Sequence, residues 1–307
     1  MRYFKILAAV LLLAFPVLAR ADTDLLPGDS TWYFHVDFDA MRKGEAGKRL
    51  YDWLDREVFT EIREDTGVDL GAEADTLTAF SARDDGPIIV VDGRISQETK
   101  DQLLALATAA TGDLQVFKSD GMEYFLFEGD GTGTGDIDID IESLGEEAYL
   151  SMALRNKILV THRKEQMEQL LANGGRLPDV RKAGNALLVL RADRALMQAG
   201  ANTAAMQEES NGAWDSNILR HTEQFAVLLA DLGDKLGLEA QLVTSEPEMA
   251  NSLASIVRGL ISLQVFNEDI DTELMSVLQS TTVDVADNAL KVALRLDPDT
   301  VVESLGD

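Results

Sequence analysis

The chain has 307 residues, with 54 acidic and 27 basic side chains, a formal net charge of −27 and no cysteine. The charge opposes contact with nucleic acid and anionic lipid headgroups. The missing thiols exclude disulfides, thiolate metal centres and cysteine nucleophiles, so stability has to come from a core, for which this length suffices in one large or two smaller units.

The N-terminal MRYFKILAAVLLLAFPVLARA has the form of a secretory signal: Arg2 and Lys5, an apolar run from Ile6 to Leu18, then the small-x-small site Ala19-Arg20-Ala21. Cleavage is expected before Asp22; an uncleaved anchor is the alternative, disfavoured by the short apolar run. Removing Arg2, Lys5 and Arg20 and no acid takes the net charge from −27 to −30. No later run is apolar enough to span a bilayer. The expected product is soluble, in a bacterial periplasm or outside the cell, and not membrane-embedded. Such a charge favours cations or a basic partner, and also fits an acidic exported proteome of a salt-adapted organism.

TWYFHVDF (31–38) alternates as a strand. A helix follows, with Leu50, Trp53, Leu54, Val58 and Ile62 at helical spacing and Gly67 as its stop. LTAFSA (77–82) and IIVVDGRI (88–95) flank an Asp85-Gly86 turn. Ser96 caps the next helix, whose stripe is Leu103, Leu104 and Ala107. DLQVFK and MEYFLFE form a hairpin around Ser119-Asp120-Gly121, AYLSMAL and KILVTH another around Arg155-Asn156, and RKEQMEQLLANGG a closing helix. The order then repeats. NALLVLRADRALM (185–197) matches VDFDAM as a strand, an aspartate and a methionine. A hairpin turns at Gly233-Asp234, and Ser245-Glu246-Pro247-Glu248 opens a helix with Met249, Leu253, Ile256, Val257 and Leu260 on one stripe. A helical turn, a hairpin at Asn288 and a helix from Pro298 complete it. The expected fold is α+β: two similar modules of antiparallel sheet covered by helices, residues 22–174 and 185–307, with a link short enough for the sheets to merge into one duplicated domain.

The opening LPGDSTWYFHVDFDAM, the phrase TGVDLGAEADTLTAF and the hairpin ending VDGRIS resemble exported bacterial proteins of unknown function. The resemblance covers about the first hundred residues. It implies an exported α+β fold and carries no catalytic residue.

EGDGTGTGDIDIDIESLG (128–145) is the most unusual stretch. It lacks the lysine of a phosphate loop and the helix of a dinucleotide fingerprint. Asp130, Asp136, Asp138, Asp140 and Glu142 offer the oxygens that calcium prefers. Yet alternate residues of a strand step by about 6.6 Å along one face and do not converge on one ion. A loop running into an acidic edge strand that resists aggregation is preferred, with weak calcium binding as the alternative and no other cofactor.

His35, His162 and His221 have no metal-ligand spacing, and neither Gly-x-Ser-x-Gly nor Ser-x-x-Lys occurs. Aromatics make up 6% of the chain, which leans against a sugar site with stacking platforms. Met197, Met206 and Trp214 suit an adaptable apolar binding surface, although packing between modules accounts for them more simply. The function expected is a non-catalytic exported binding or scaffold protein whose partner is a periplasmic protein, lipid or peptide. The alternatives are an exported hydrolase assembled from distant residues and a divalent-cation binder acting through residues 130–142.

Overall fold

The computed structural model describes residues 30–82, 86–111, 114–128, 147–177, 186–196, 221–265 and 272–306. Strand β1 (Ser30–Asp37) leads into α1 (Phe38–Lys43), α2 (Glu45–Leu54), a π-helical turn (Asp55–Phe59), α3 (Thr60–Thr66) and the single turn α4 (Leu70–Glu73). Next come β2 (Ala74–Ala82), β3 (Gly86–Gly93), α5 (Gln97–Thr111), β4 (Gln115–Ser119), β5 (Met122–Glu128), β6 (Glu147–Ser151), β7 (Lys157–Thr161) and α6 (Lys164–Ala172). The second run is β8 (Ala186–Asp193), β9 (Thr222–Asp231), β10 (Leu236–Thr244), α7 (Pro247–Val265), α8 (Thr272–Ser280), β11 (Thr282–Ala286), β12 (Ala289–Leu296) and α9 (Pro298–Gly306).

All twelve strands join one antiparallel sheet in the order β11-β12-β10-β9-β8-β1-β2-β3-β7-β6-β5-β4. The fold is therefore α+β, with two similar modules merged edge to edge. β1 and β8 meet at the centre, where Phe34 lies opposite Leu190. A local two-fold axis passes through that pair. It exchanges Tyr33/Arg191 with Val189/His35 and Trp32/Ala192 with Leu188/Val36. Irregularities in register are duplicated too: the break between Ser30 and Trp32 recurs between Ala186 and Leu188. The break beside Ala74 recurs beside Thr222, its equivalent. Both central strands end in an aspartate that caps the next turn of chain: Asp37 accepts from the Ala40 N–H at 2.8 Å, and Asp193 from the Leu196 N–H at 3.1 Å. The equivalence extends outward through five strands of each module; the first module carries β5 and β4 in addition.

Paired residues share a face of a sheet. One row crosses all twelve strands: Val116, Phe125, Leu150, Val160, Ile89, Ala79, Phe34, Leu190, Val227, Ala240, Val292 and Val283. Every member is apolar, and this front face takes the main core. Met41, Leu50 and Trp53 of α1 and α2 pack with Val227, Leu229, Leu236 and Leu238, joined by Val301, Val302 and Leu305 of α9. Leu253 and Ala254 of α7 pack on Leu290 and Val292. On the back face, Met167, Leu170 and Leu171 of α6 cover Val90, Tyr124, Leu126 and Leu159.

Local chemistry accounts for the turns. Asp120 and Gly121 both have positive φ, 51° and 80°, as a two-residue turn matching strand twist requires. Gly67 ends α3 in the left-handed region at φ 73°. The helical phase expected from Leu50, Trp53, Leu54 and Val58 changes at the π turn. The wider turn rotates the following residues, so Phe59 rather than Val58 is buried, edge-on to Phe38 at 5.3 Å.

Candidate functional site

The two modules differ on the back face. The first module sets Phe80 and Ile88 around Tyr33, and beside them Ile88, Val90 and Leu159 lie under α6. The two-fold equivalents of Ile88, Val90 and Leu159 are Glu239, Gln241 and Lys291. The helix after β12 cannot cover them, because α9 lies on the front face against α2. Glu239 is 2% exposed, and its Oε1 lies 2.9 Å from the Lys291 ammonium. Arg191, also buried, stands opposite Tyr33. Burial pushes the Tyr33 phenol up to about 12, against the opposing pull of the Arg191 guanidinium.

Two recesses adjoin Arg191, one lined with Val189, Leu228, Glu239 and Gln241 and the other with Gln224, Phe225, Gln241 and Val243. Each has a volume of about 10 Å³, room for roughly one water. Local periodicity does not bring these charges together, although Arg191, Glu239 and Lys291 are conspicuous as single charged residues inside the apolar runs LLVLRA, LGLEAQL and ALKVAL.

The three histidines are dispersed. His35 is buried in β1, its Nδ1 2.8 Å from the Thr78 hydroxyl and its ring stacked beside Tyr33. His162 follows β7, where its N–H donates to the Pro87 carbonyl and its ring closes over Gly86. His221 precedes β9, and its carbonyl accepts from the Ser245 N–H. Among the described residues no three metal-ligating side chains gather. Asp130, Asp136, Asp138, Asp140 and Glu142, as well as Met197, Met206 and Trp214, lie outside the described residues.

Other buried and half-buried polar groups serve the scaffold. The Lys100 ammonium donates to the Met152 and Leu154 carbonyls at 2.8 and 2.7 Å, and its burial lowers its pKa. Arg42 spans the Gly71 and Ala74 carbonyls and the Asp75 carboxylate, at 2.9, 3.0 and 2.6 Å, and lies over the Tyr51 ring. The Tyr124 hydroxyl donates to Glu168 at 2.8 Å.

The sheet has two outer strands, β4 and β11. β4 exposes Val116 by 55%, while Lys118 pairs with Glu123. In β11, Thr282, Asp284 and Ala286 are exposed and Val283 and Val285 half-buried. No helix among the described residues is long and apolar enough to cross a membrane.

No family model and no curated protein matches the chain. Among solved structures it is similar to "Structure of crystal form IV of TP0453", at 8% identity over 92% of this chain and 95% of that one, with a TM-score of 0.49. It is also similar to crystal form III of TP0453, at 10% identity over 92% and 95% with a TM-score of 0.45. Crystal form I of TP0453 is matched at 10% identity over 94% and 98%, with a TM-score of 0.43.

Proposed function

We propose that the chain is an exported, non-catalytic binding or scaffold protein. The observation that carries this reading is the use of its buried and half-buried polar groups. Arg42, Lys100, Tyr124 and Glu239 each engage a neighbouring carbonyl or charge in the same sheet-and-helix framework. The molecule presents outward a span of twelve strands, roughly 50 Å across at the usual strand spacing, ending among the described residues at β4 and β11. A rigid span of this kind suits holding a partner. A hydrolase needs a cleft where base, nucleophile and donors converge, and the recesses beside Arg191 hold about one water each.

Expression of the full chain in a Gram-negative host tests the reading. The expected product is in the periplasmic fraction with Asp22 at its N-terminus, and it turns over no ester, phosphoester, glycoside or peptide substrate in a broad panel. A cytoplasmic product, or a hydrolytic activity lost on His35→Ala with the fold intact, refutes it.

A further inference from the structure

The modules end differently. Outward from the two-fold axis, the first runs β1, β2, β3, β7, β6, β5, β4 and the second β8, β9, β10, β12, β11. β11 therefore holds the place of β6, and register fixes the match. Leu150 of β6 lies opposite Val160, and Val283 of β11 lies opposite Val292, in one continuous row. Beyond β6 sits β5, with Phe125 opposite Leu150 and Phe127 opposite Ala148. Beyond β11 there is no strand among the described residues.

The backbone of β11 is turned toward that place. In an antiparallel ladder, successive residues direct their N–H and C=O groups to opposite sides. The Val283 carbonyl accepts from Arg258 Nη2 of α7 at 2.6 Å, so it points away from β12. By alternation Val285 does the same. Arg258 is itself exposed and is the single charged residue between Met249 and Val265. It masks one outward acceptor, which is how natural edge strands are kept from uncontrolled pairing.

We propose that the outer edge of β11 binds an extended segment of a partner protein, added as an antiparallel strand in the place β5 takes in the first module, with Arg258 as its gate. This rests on the binding reading above and names its surface and partner. The recognising chemistry is legible from β5 and β11. Side chains on the Val283 side match the large apolar Phe125 and Phe127. Those facing the exposed Asp284, whose β12 neighbour Lys291 pairs with Glu239, are basic, adding a cross-strand charge pair on the open side. The net charge of −27 draws such a segment in. The partner segment is an extended strand alternating apolar and basic residues, held by main-chain bonds.

The probe is a fluorescein-labelled peptide alternating lysine with phenylalanine and valine, titrated into the full chain and read by anisotropy, with a composition-matched block peptide as control. The alternating peptide binds saturably and at least about tenfold tighter than the block peptide. Val285→Pro removes one outward N–H while sparing the ladder to β12 and weakens binding about tenfold; Arg258→Ala strengthens it severalfold. In the unaltered chain, amide exchange slows at Val283 and Val285 when peptide is added, a readout independent of how the proline variant folds. Equal binding of the two peptides, or unchanged exchange at Val283 and Val285, overturns the edge site. Neither result touches the export and turnover tests of the broader reading, which fail on their own terms.

Discussion

The Asp231 carboxylate at the end of β9 accepts from the backbone N–H of Gly47 in α2 at 2.8 Å, so an acid of the second module caps a helix of the first. The residue before helix α2, at its N-cap, is Gly44, which has no side chain to cap with. The β9–β10 hairpin supplies the missing acceptors, since the Gly233 carbonyl also takes the Ala46 N–H at 2.9 Å. Asp231→Ala should cost about 1–2 kcal/mol in denaturant unfolding. Gly44→Ala should cost at least as much, because its Cβ would collide with Asp231 Oδ2. As both changes dislodge one carboxylate, the double variant should be less destabilised than the sum of the two. Full additivity would separate the glycine from the cap.

The polar back face yields a second expectation. Lys291→Leu leaves the buried Glu239 without its ammonium and should destabilise by about 3 kcal/mol. Adding Glu239→Ile installs the residues found at the two-fold equivalents, Leu159 and Ile88, and should recover part of that loss. Chemical denaturation of the two variants decides it: a double variant weaker than Lys291→Leu alone would mean that Glu239 is held chiefly by other contacts.

Much of this architecture is legible in the sequence, and the reason lies in turn and cap chemistry. Asp120-Gly121, Gly233, Pro247 and Pro298 mark element ends through backbone constraints that tertiary structure does not override. The repeat of VDFDAM in LRADRALM follows from two strands that end in equivalent capping aspartates. Union of the modules into one sheet depends on Phe34 meeting Leu190, a pairing between residues distant in the chain that local periodicity does not encode. The pairing of Glu239 with Lys291 is hidden for the same reason. The π turn escapes because its residues fit an ordinary helix and only packing inserts the wider turn.

Two groups set pH limits in opposite directions. Asp297 is hydrogen-bonded to the Lys235 ammonium at 2.7 Å and caps α9 through the Asp299 N–H, and these contacts hold its carboxyl below the usual range. A depressed carboxyl stabilises above its unfolded pKa of about 3.9, and that share is lost as pH falls through the folded value. Asp297→Asn should therefore lower the melting temperature at neutral pH and flatten its decline in acid. Tyr33 behaves inversely: its phenol, raised to about 12, binds its proton more tightly in the folded state. Stability should fall between the unfolded pKa, about 10, and that value. Tyr33→Phe should remove that alkaline share. Thermal melts across both windows check the signs, and an acid limb unchanged in the Asp297 variant would remove Asp297 from the account.

The π turn makes neighbouring residues unequal in a way that an ordinary helix would not. With Leu50 and Trp53 facing the core, regular helical spacing would bring Val58 inward beside Leu54 and turn the next residue away. The wider turn buries Phe59 instead, 7% exposed and packed edge-on against Phe38, and leaves Val58 half-exposed. Phe59→Ala should therefore cost about 3–5 kcal/mol, the range for emptying a buried aromatic site. Val58→Ala should cost less than about 1 kcal/mol, as expected away from the core. Urea unfolding of the two variants measures the contrast directly. The reverse ranking would mean that residues 55–59 wind as a regular helix in solution, and the aromatic pairing of Phe38 with Phe59 would then have to be abandoned.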